Sequence, residues 1–237
     1  MIENANPVVR RNAYRALLSI GSVKEGSDTV VERALTESFV EKARDEKEAG
    51  LKVLALQCLT RCLHEPAGLE RALAFEQKEA NAIDILLELV DSEDAEVKEG
   101  ALQALTQLCF TDEGRGKALT RGAVASISSV LGHTAWFVRA AACSALMSVV
   151  TEESAKFDAL KTGCVEMLAG PLVSDSNPIV VTNALKALSS VVVHPKARAS
   201  LSANEALVAR LEELSKSESA ILARCASKAR ELVLWKP

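Results

Sequence analysis

Along the chain, an aliphatic residue is followed four positions later by alanine. A second small residue comes three positions after that, usually followed by leucine. The pattern stands at Val9, Ala13, Ala16, Leu17, at Leu51, Ala55, Cys58, Leu59 and at Val97, Ala101, Ala104, Leu105. It returns at Val138, Ala142, Ala145, Leu146, at Val180, Ala184, Ala187, Leu188 and, with Arg230 in the leucine place, at Leu222, Ala226, Ala229. The third member falls at 16, 58, 104, 145, 187 and 229, at intervals of 42, 46, 41, 42 and 42 residues. Spacings of four and three share one helical face. Small residues on successive turns let a second helix approach closely. An amphipathic bundle explains each helix but not the common period, so the pattern predicts a stack of like layers.

Between these long helices a second unit recurs, beginning at Asn81, Gly122, Gly163 and Asn204. The leading Gly or Asn is expected in a left-handed conformation that ends one helix before the next begins. Ahead of it lies a shorter polar stretch, such as Glu113–Leu119 or Glu152–Leu160. One repeat is therefore a short, a medium and a long helix. Asn6-Pro7 and Asn177-Pro178 put a capping side chain before a first-turn proline. Asp91–Asp94 and Ser174–Ser176 supply capping or acidic groups at the same point.

Three helices per roughly 42 residues resemble the armadillo repeat more than the two-helix HEAT unit. The resemblance implies an all-α protein, an armadillo-repeat right-handed α-solenoid of three-helix repeats, as a single domain over 1–237. A lone helix at about 6–20 serves as a modified cap or stands where relatives carry further N-terminal repeats. Five repeats follow, at about 25–63, 65–110, 112–150, 152–193 and 194–235. Tyr14 and the Arg10–Arg11 pair suit the polar outer face that a terminal repeat needs.

Composition narrows the function. The chain is 49% hydrophobic and 25% charged, which suits a packed core. Aromatics are 3%, against a strand-rich fold. A formal net charge of −4 gives no basic footprint for duplex nucleic acid, and few rings exist to stack single-stranded bases. No apolar run is long enough to span a membrane, and the polar start, Met1–Arg11, is unlike a secretory signal. We therefore expect an intracellular protein with no nucleic-acid or membrane partner, whose six cysteines are thiols. No cofactor, metal or small-molecule substrate is expected.

In armadillo proteins that bind extended peptides, the long helices line a concave groove. In the nuclear-import adaptor each carries a Trp, and an Asn four residues later. The Trp places are held here by Arg15, Gln57, Gln103, Ser144, Lys186 and Lys228, and the Asn places by Ser19, Arg61, Gln107, Ser148, Ser190 and Leu232. The import mechanism is thereby excluded. The groove is expected to be polar to mildly basic, suited to an acidic helix or tail.

Several segments are similar to a narrower family, the armadillo-repeat subunits of the ciliary radial spoke (the radial spoke head 14 homologue family). They are Asn6–Ala16, Asp91–Val97 with the following Ala-x-x-Ala-Leu, Ala145–Met147 with Val150–Glu153, and the ending Glu231-Leu-Val-Leu-Trp-Lys-Pro237. The final Trp-Lys-Pro is the most specific, because it breaks the repeat pattern. This resemblance implies a non-enzymatic scaffold in cytoplasm and cytoskeleton, within the axoneme of motile cilia and flagella. It would hold other radial spoke proteins through its groove and edges and so support the regulation of dynein. The alternative is a soluble cytoplasmic adaptor for an acidic peptide.

Remaining residues read as structure. Cys58, Cys62 and His64 have metal-like spacing, but leucines at 56, 59 and 63 favour buried thiols. Glu113-Gly-Arg-Gly-Lys117 lacks the spacing and the trailing Ser/Thr of a phosphate loop. His64, His133 and His194 fall at repeat junctions, where solvation is expected. The run Glu41–Glu48 reads as a solvated helix end with i,i+4 pairs, or alternatively as a contact strip for a partner. Trp136 and Phe137 begin a long helix where other copies have small or polar residues, either filling a gap between repeats or standing out as an interface anchor. Trp235 likewise either covers the last repeat or docks on a neighbour.

Overall fold

The computed structural model describes residues 1–77 and 80–236. They fold into sixteen α-helices and one two-stranded hairpin, in two compact units, Met1–Arg121 and Gly122–Pro237.

The first unit opens with α1 (Pro7–Ile20), capped by the Asn6 side chain, which accepts the Val8 N–H. A triad follows: α2 (Lys24–Glu32), α3 (Leu35–Asp45) and the long α4 (Ala49–Cys62). The next triad is α5 (Pro66–Ala74), α6 (Ala82–Val90) and the long α7 (Ala95–Leu108), and α8 (Asp112–Thr120) closes the unit. Between α5 and α6, β1 (Glu76–Gln77) pairs antiparallel with β2 (Ala80–Asn81). Strands of two residues carry no alternation a sequence pattern could reveal.

The second unit holds α9 (Ala123–Ser129) and the long α10 (Trp136–Val149), then α11 (Glu153–Lys161) and α12 (Cys164–Met167). A π-helical turn (Leu168–Leu172) extends α12 and contains Pro171. The long α13 (Pro178–Val191), α14 (Pro195–Ser202), α15 (Glu205–Leu214) and the long α16 (Ala220–Leu234) complete it.

The junctions before the medium helices differ in kind. Gly122 and Gly163 are left-handed, at φ 74° and 75°. Ala34 takes the same conformation, at φ 57°, although a Cβ disfavours that region. Asn81 and Asn204 are not left-handed as expected. They have φ −98° and −84° and act as N-caps, Asn81 in a capping box with Asp84. Before five of the long helices the same bond recurs, in which Asn4, Ser92, His133, Asp175 and Ser217 each accept the N–H two residues on. His133 and His194 are therefore turn and cap acceptors, not solvated loop groups.

The long helices pack face to face through the small-residue slots. Cys58 of α4 lies with Sγ 3.7 Å from the Tyr14 carbonyl of α1. Gly100 of α7 lies against Leu56 of α4, where a Cβ would come within 3.1 Å of the leucine. In the second unit the Asn183 amide of α13 donates 3.0 Å to the Ala140 carbonyl of α10. Residues 58, 104, 145, 187 and 229 are all at most 3% exposed, whereas Ala16 is exposed.

Two expectations about charge are corrected. Tyr14 is not on a polar outer face. It is fully buried, and its hydroxyl donates to Glu46 Oε1 at 3.0 Å. Burial and the Glu46 carboxylate push its pKa strongly up. Nor is Glu41–Glu48 a solvated run of i,i+4 pairs. Glu46 is 5% exposed and receives both Nε and Nη2 of Arg10 at 2.8 Å. Glu48 pairs with Arg11 at 2.9 Å, and Glu41 and Arg44 both bond the Gln77 side chain in β1. The second unit repeats the device. Arg139, one residue after Val138 as Arg10 is after Val9, donates 2.7 Å to Asp175. At the same place Lys52 and Lys98 donate instead to carbonyls ending α3 and α6. Burial lowers the pKa of Lys52.

Among the described residues no helix is long and apolar enough to cross a membrane.

Candidate functional site

Ala16 of α1 apart, the long helices turn their small residues and leucines toward the core, which leaves positions 15, 57 and 103 and their partners four residues on at the surface. In the first unit Arg15 and Ser19 of α1, Gln57 and Arg61 of α4 and Gln103 of α7 are exposed, and Gln107 is half-buried. The guanidinium groups of Arg15 and Arg61 make no ion pair among the described residues. Gln103 Nε2 donates 3.1 Å to Glu99, whose pKa is raised by burial and then by Glu96. This face thus changes from basic on α1 and α4 to acidic on α7, with amides between.

In the second unit Lys186 of α13 and Lys228 of α16 are exposed, and Ser144 of α10 and Ser190 of α13 are half-buried. Lys228 is paired with Glu231 at 3.2 Å, while Lys186 makes no ion pair among the described residues. Ser148 departs from the expected ladder. It is 5% exposed, and its hydroxyl donates back to the Ser144 carbonyl 3.1 Å away. A hydroxyl turned into its own helix presents nothing to a partner.

The aromatic pair stands at the start of α10. Trp136 is 43% exposed and Phe137 half-buried, and their rings meet edge to face at 5.9 Å. Phe137 braces an indole that remains open to solvent. Trp235, 51% exposed, receives the Arg198 guanidinium over its ring at 4.6 Å. Pro237, the last residue of the Trp-Lys-Pro ending, lies outside the described residues. Two further exposed residues are not evident from the sequence pattern of a single helix. Ile179 and Ile221 are 52% and 59% exposed, at the places that correspond to Phe137 on α13 and α16, so in those copies the place is apolar and not small or polar as expected. The signal that marks them is their recurrence at 42-residue steps.

The other candidate chemistry is absorbed by structure. Cys58 and Cys62 are buried, and burial pushes their thiols up to about 12 and about 11, with Cys62 adding to the rise at Cys58 and a hydrogen bond with Thr36 opposing it at Cys62. His64 is exposed. Among the described residues no cluster of three or more His, Cys, Asp or Glu could hold a metal. The Glu113–Lys117 glycine pair lies inside α8, where Arg115 donates to the carbonyls of Cys109 and Phe110, and Lys117 to that of Leu73. The glycine at 114 has a packing reason: a Cβ there would come within about 2 Å of the Leu108 carbonyl oxygen, a clash no side chain avoids. An open depression of about 430 Å³ lies beside the Arg10–Glu46 pair, lined by Glu3, Lys42 and Glu48 among others. Its charges are of both signs and largely paired with one another.

Residues 75–110, which span β1 to the end of α7, match the armadillo/beta-catenin-like repeat family. A search of curated proteins returned no match. Among solved structures the chain is similar to an engineered protein, with TM-score 0.87 and 20% identity over 98% of this chain and 95% of the other. It is similar to a designed armadillo repeat protein, with TM-score 0.84 and 18% identity over 98% and 96%. Another designed armadillo repeat protein, solved in complex with the peptide (KR)4, gives TM-score 0.82 and 18% identity over 98% and 96%. The fold is the armadillo-repeat α-solenoid.

Proposed function

We propose that the chain is a non-enzymatic scaffold that holds an acidic segment of a partner protein along the exposed faces of its long helices. The observation that carries this reading is the set of cations without ion-pair partners among the described residues, Arg15 and Arg61 on the α1–α4 face of the first unit and, separately, Lys186 in the second, each near amides or hydroxyls. Cations with no internal partner are the groups an acidic chain would meet, and the neighbouring Gln57 amide can bond a peptide backbone. A designed protein of the same fold was solved with the basic peptide (KR)4. The charges on the α1–α4 face and at Lys186 here favour the opposite sign.

The assembly in which we place this scaffold is the radial spoke of motile cilia and flagella, with other spoke proteins as partners and the axoneme as its location. The sequence resemblance supports this placement, above all the ending Trp235-Lys236-Pro237. Fractionation of motile ciliated cells carrying a tagged copy tests it. Retention in detergent-washed axonemes, with release beside spoke proteins in chaotropic salt, is expected. A cytosolic distribution would overturn the placement and leave the soluble adaptor. Within either setting, Arg61→Glu with Lys186→Glu should abolish recovery with the partner. Unchanged recovery would count against binding on these faces.

A further inference from the structure

The three long helices of the second unit pack in chain order, with α13 against both α10 and α16. At the first two places of each stands an apolar pair, Trp136-Phe137, Pro178-Ile179 and Ala220-Ile221. Trp136, Ile179 and Ile221 are 43%, 52% and 59% exposed. At the corresponding places the first unit has Pro7-Val8, Ala49-Gly50 and Ala95-Glu96, so the full row belongs to the second unit. Its exposure is not that of a terminal helix, because α13, which carries Ile179, has a long helix packed on either side.

The places three and seven residues further along each helix share the face of this row. On α10 they are Ala140 and Ser144, on α13 Thr182 and Lys186, and on α16 Arg224 and Lys228. None is acidic. Lys186 and Arg224 are exposed and make no ion pair among the described residues, while Lys228 is paired with Glu231. One face therefore joins an apolar edge to a cationic strip. Seven residues of helix set the Lys186 place about 10 Å along the axis from that of Ile179.

We propose that this face of the second unit binds an extended segment of a partner protein in which large apolar residues alternate with aspartate or glutamate. The proposal rests on the acidic-partner reading of Lys186 above and adds the apolar requirement. Successive side chains of an extended segment point to opposite sides. A segment laid across α10, α13 and α16 would send one set toward the helix starts and the other toward Lys186 and Arg224. Apolar side chains in the first set would take Trp136, Ile179 and Ile221 out of water. Acidic side chains in the second would meet cations that have no partner within the described chain. A wholly polar acidic segment would leave the row in water, and an apolar one would cover the cations without a counter-ion.

The test uses two labelled peptides, (Asp-Leu)5 and (Asp-Ser)5, titrated against the whole chain by fluorescence anisotropy. Saturable binding of (Asp-Leu)5 is expected. It should be weaker by about tenfold or more for (Asp-Ser)5, and for the chain carrying Ile179→Ser with Ile221→Ser. Both isoleucines are exposed, so the thermal melt of that variant should match the parent's. Phe110→Ser, at an exposed apolar position outside the row, should leave binding unchanged. Equal binding of the two peptides, each lost on Lys186→Glu, would overturn the apolar requirement and leave the acidic-partner reading standing. Binding of neither would overturn both. Binding of (Asp-Leu)5 that survives the double isoleucine substitution would overturn the placement on this row. A dimer in sedimentation that the same substitution abolishes would assign the row to a second copy and overturn the proposal as well.

Discussion

Replacing Gly100 by alanine sets two opposed effects against each other. Gly100 lies in the interior of α7, where alanine is better by about 1 kcal/mol. The added Cβ would lie 3.1 Å from both Cβ and Cδ1 of Leu56 and 3.6 Å from its Cγ. Overpacking of this kind costs about 1–3 kcal/mol. The net expectation for Gly100→Ala is a loss of about 1 kcal/mol. Leu56 is fully buried, so Leu56→Ala alone should lose about 2–5 kcal/mol to lost transfer and cavity. That truncation removes two of the three atoms nearest the new methyl and loosens the seam enough for the third to shift. In its presence Gly100→Ala should become stabilising by about 1 kcal/mol, a coupling of about 2 kcal/mol. Urea unfolding of the four proteins, followed by far-ultraviolet circular dichroism, measures the cycle. Additivity within about 0.5 kcal/mol would refute close α4–α7 packing at this point.

Thiol reagents offer a second check. Cys58, Cys62, Cys109, Cys143 and Cys164 are buried, with burial raising each pKa, so only half-buried Cys225 should react under native conditions, against six thiols in denaturant. Because these thiols stay protonated in the folded chain, stability is full below their ordinary value of 9.0 and should fall as pH rises past it. At the acid end, burial pushes the Asp175 pKa up, but the Arg139 and Asn177 hydrogen bonds and the Arg139 charge outweigh it, and the net shift is down. The stability it contributes is present above the ordinary carboxylate range and lost as pH falls through the folded value. The gap between the parent and Asp175→Asn should therefore shrink on acidification, as read by melting temperature at each pH. Ala34→Gly should raise the melting temperature, by relief of a left-handed alanine of about 1 kcal/mol, whereas Gly163→Ala should lower it by a similar amount.

The long helices were legible because their signal is local: four residues within nine positions determine a face, and the face recurs. Cys58 was legible for the same reason, as a small residue in a slot otherwise held by alanine. Arg10, Tyr14 and Glu46 were not. Their bonds join residues 32 and 36 positions apart, so burial of Glu46 depends on how one repeat meets the next. Read locally, a glutamate in a run of charged residues is solvated. The candidate face shows the same division. Exposure of Arg15, Gln57 and Lys186 follows from helical phase alone. Burial of Ser148 depends on elements packed around α10, and no periodicity within α10 reveals it. Asn81 and Asn204 illustrate a chemical ambiguity, since asparagine serves both left-handed turns and N-caps.

The hairpin between α5 and α6 has a practical consequence. The second interval of the repeat, from 58 to 104, is 46 residues where its neighbours are 42 and 41. The turn region that contains β1 and β2 takes up this excess while α5, α6 and α7 keep their lengths and phase. Growth of the chain here has been accommodated by a side excursion, pinned by Gln77 to Glu41 and Arg44. Gln77→Ala, which removes both of those bonds, should therefore loosen β1 without disturbing the Gly100–Leu56 contact between α4 and α7.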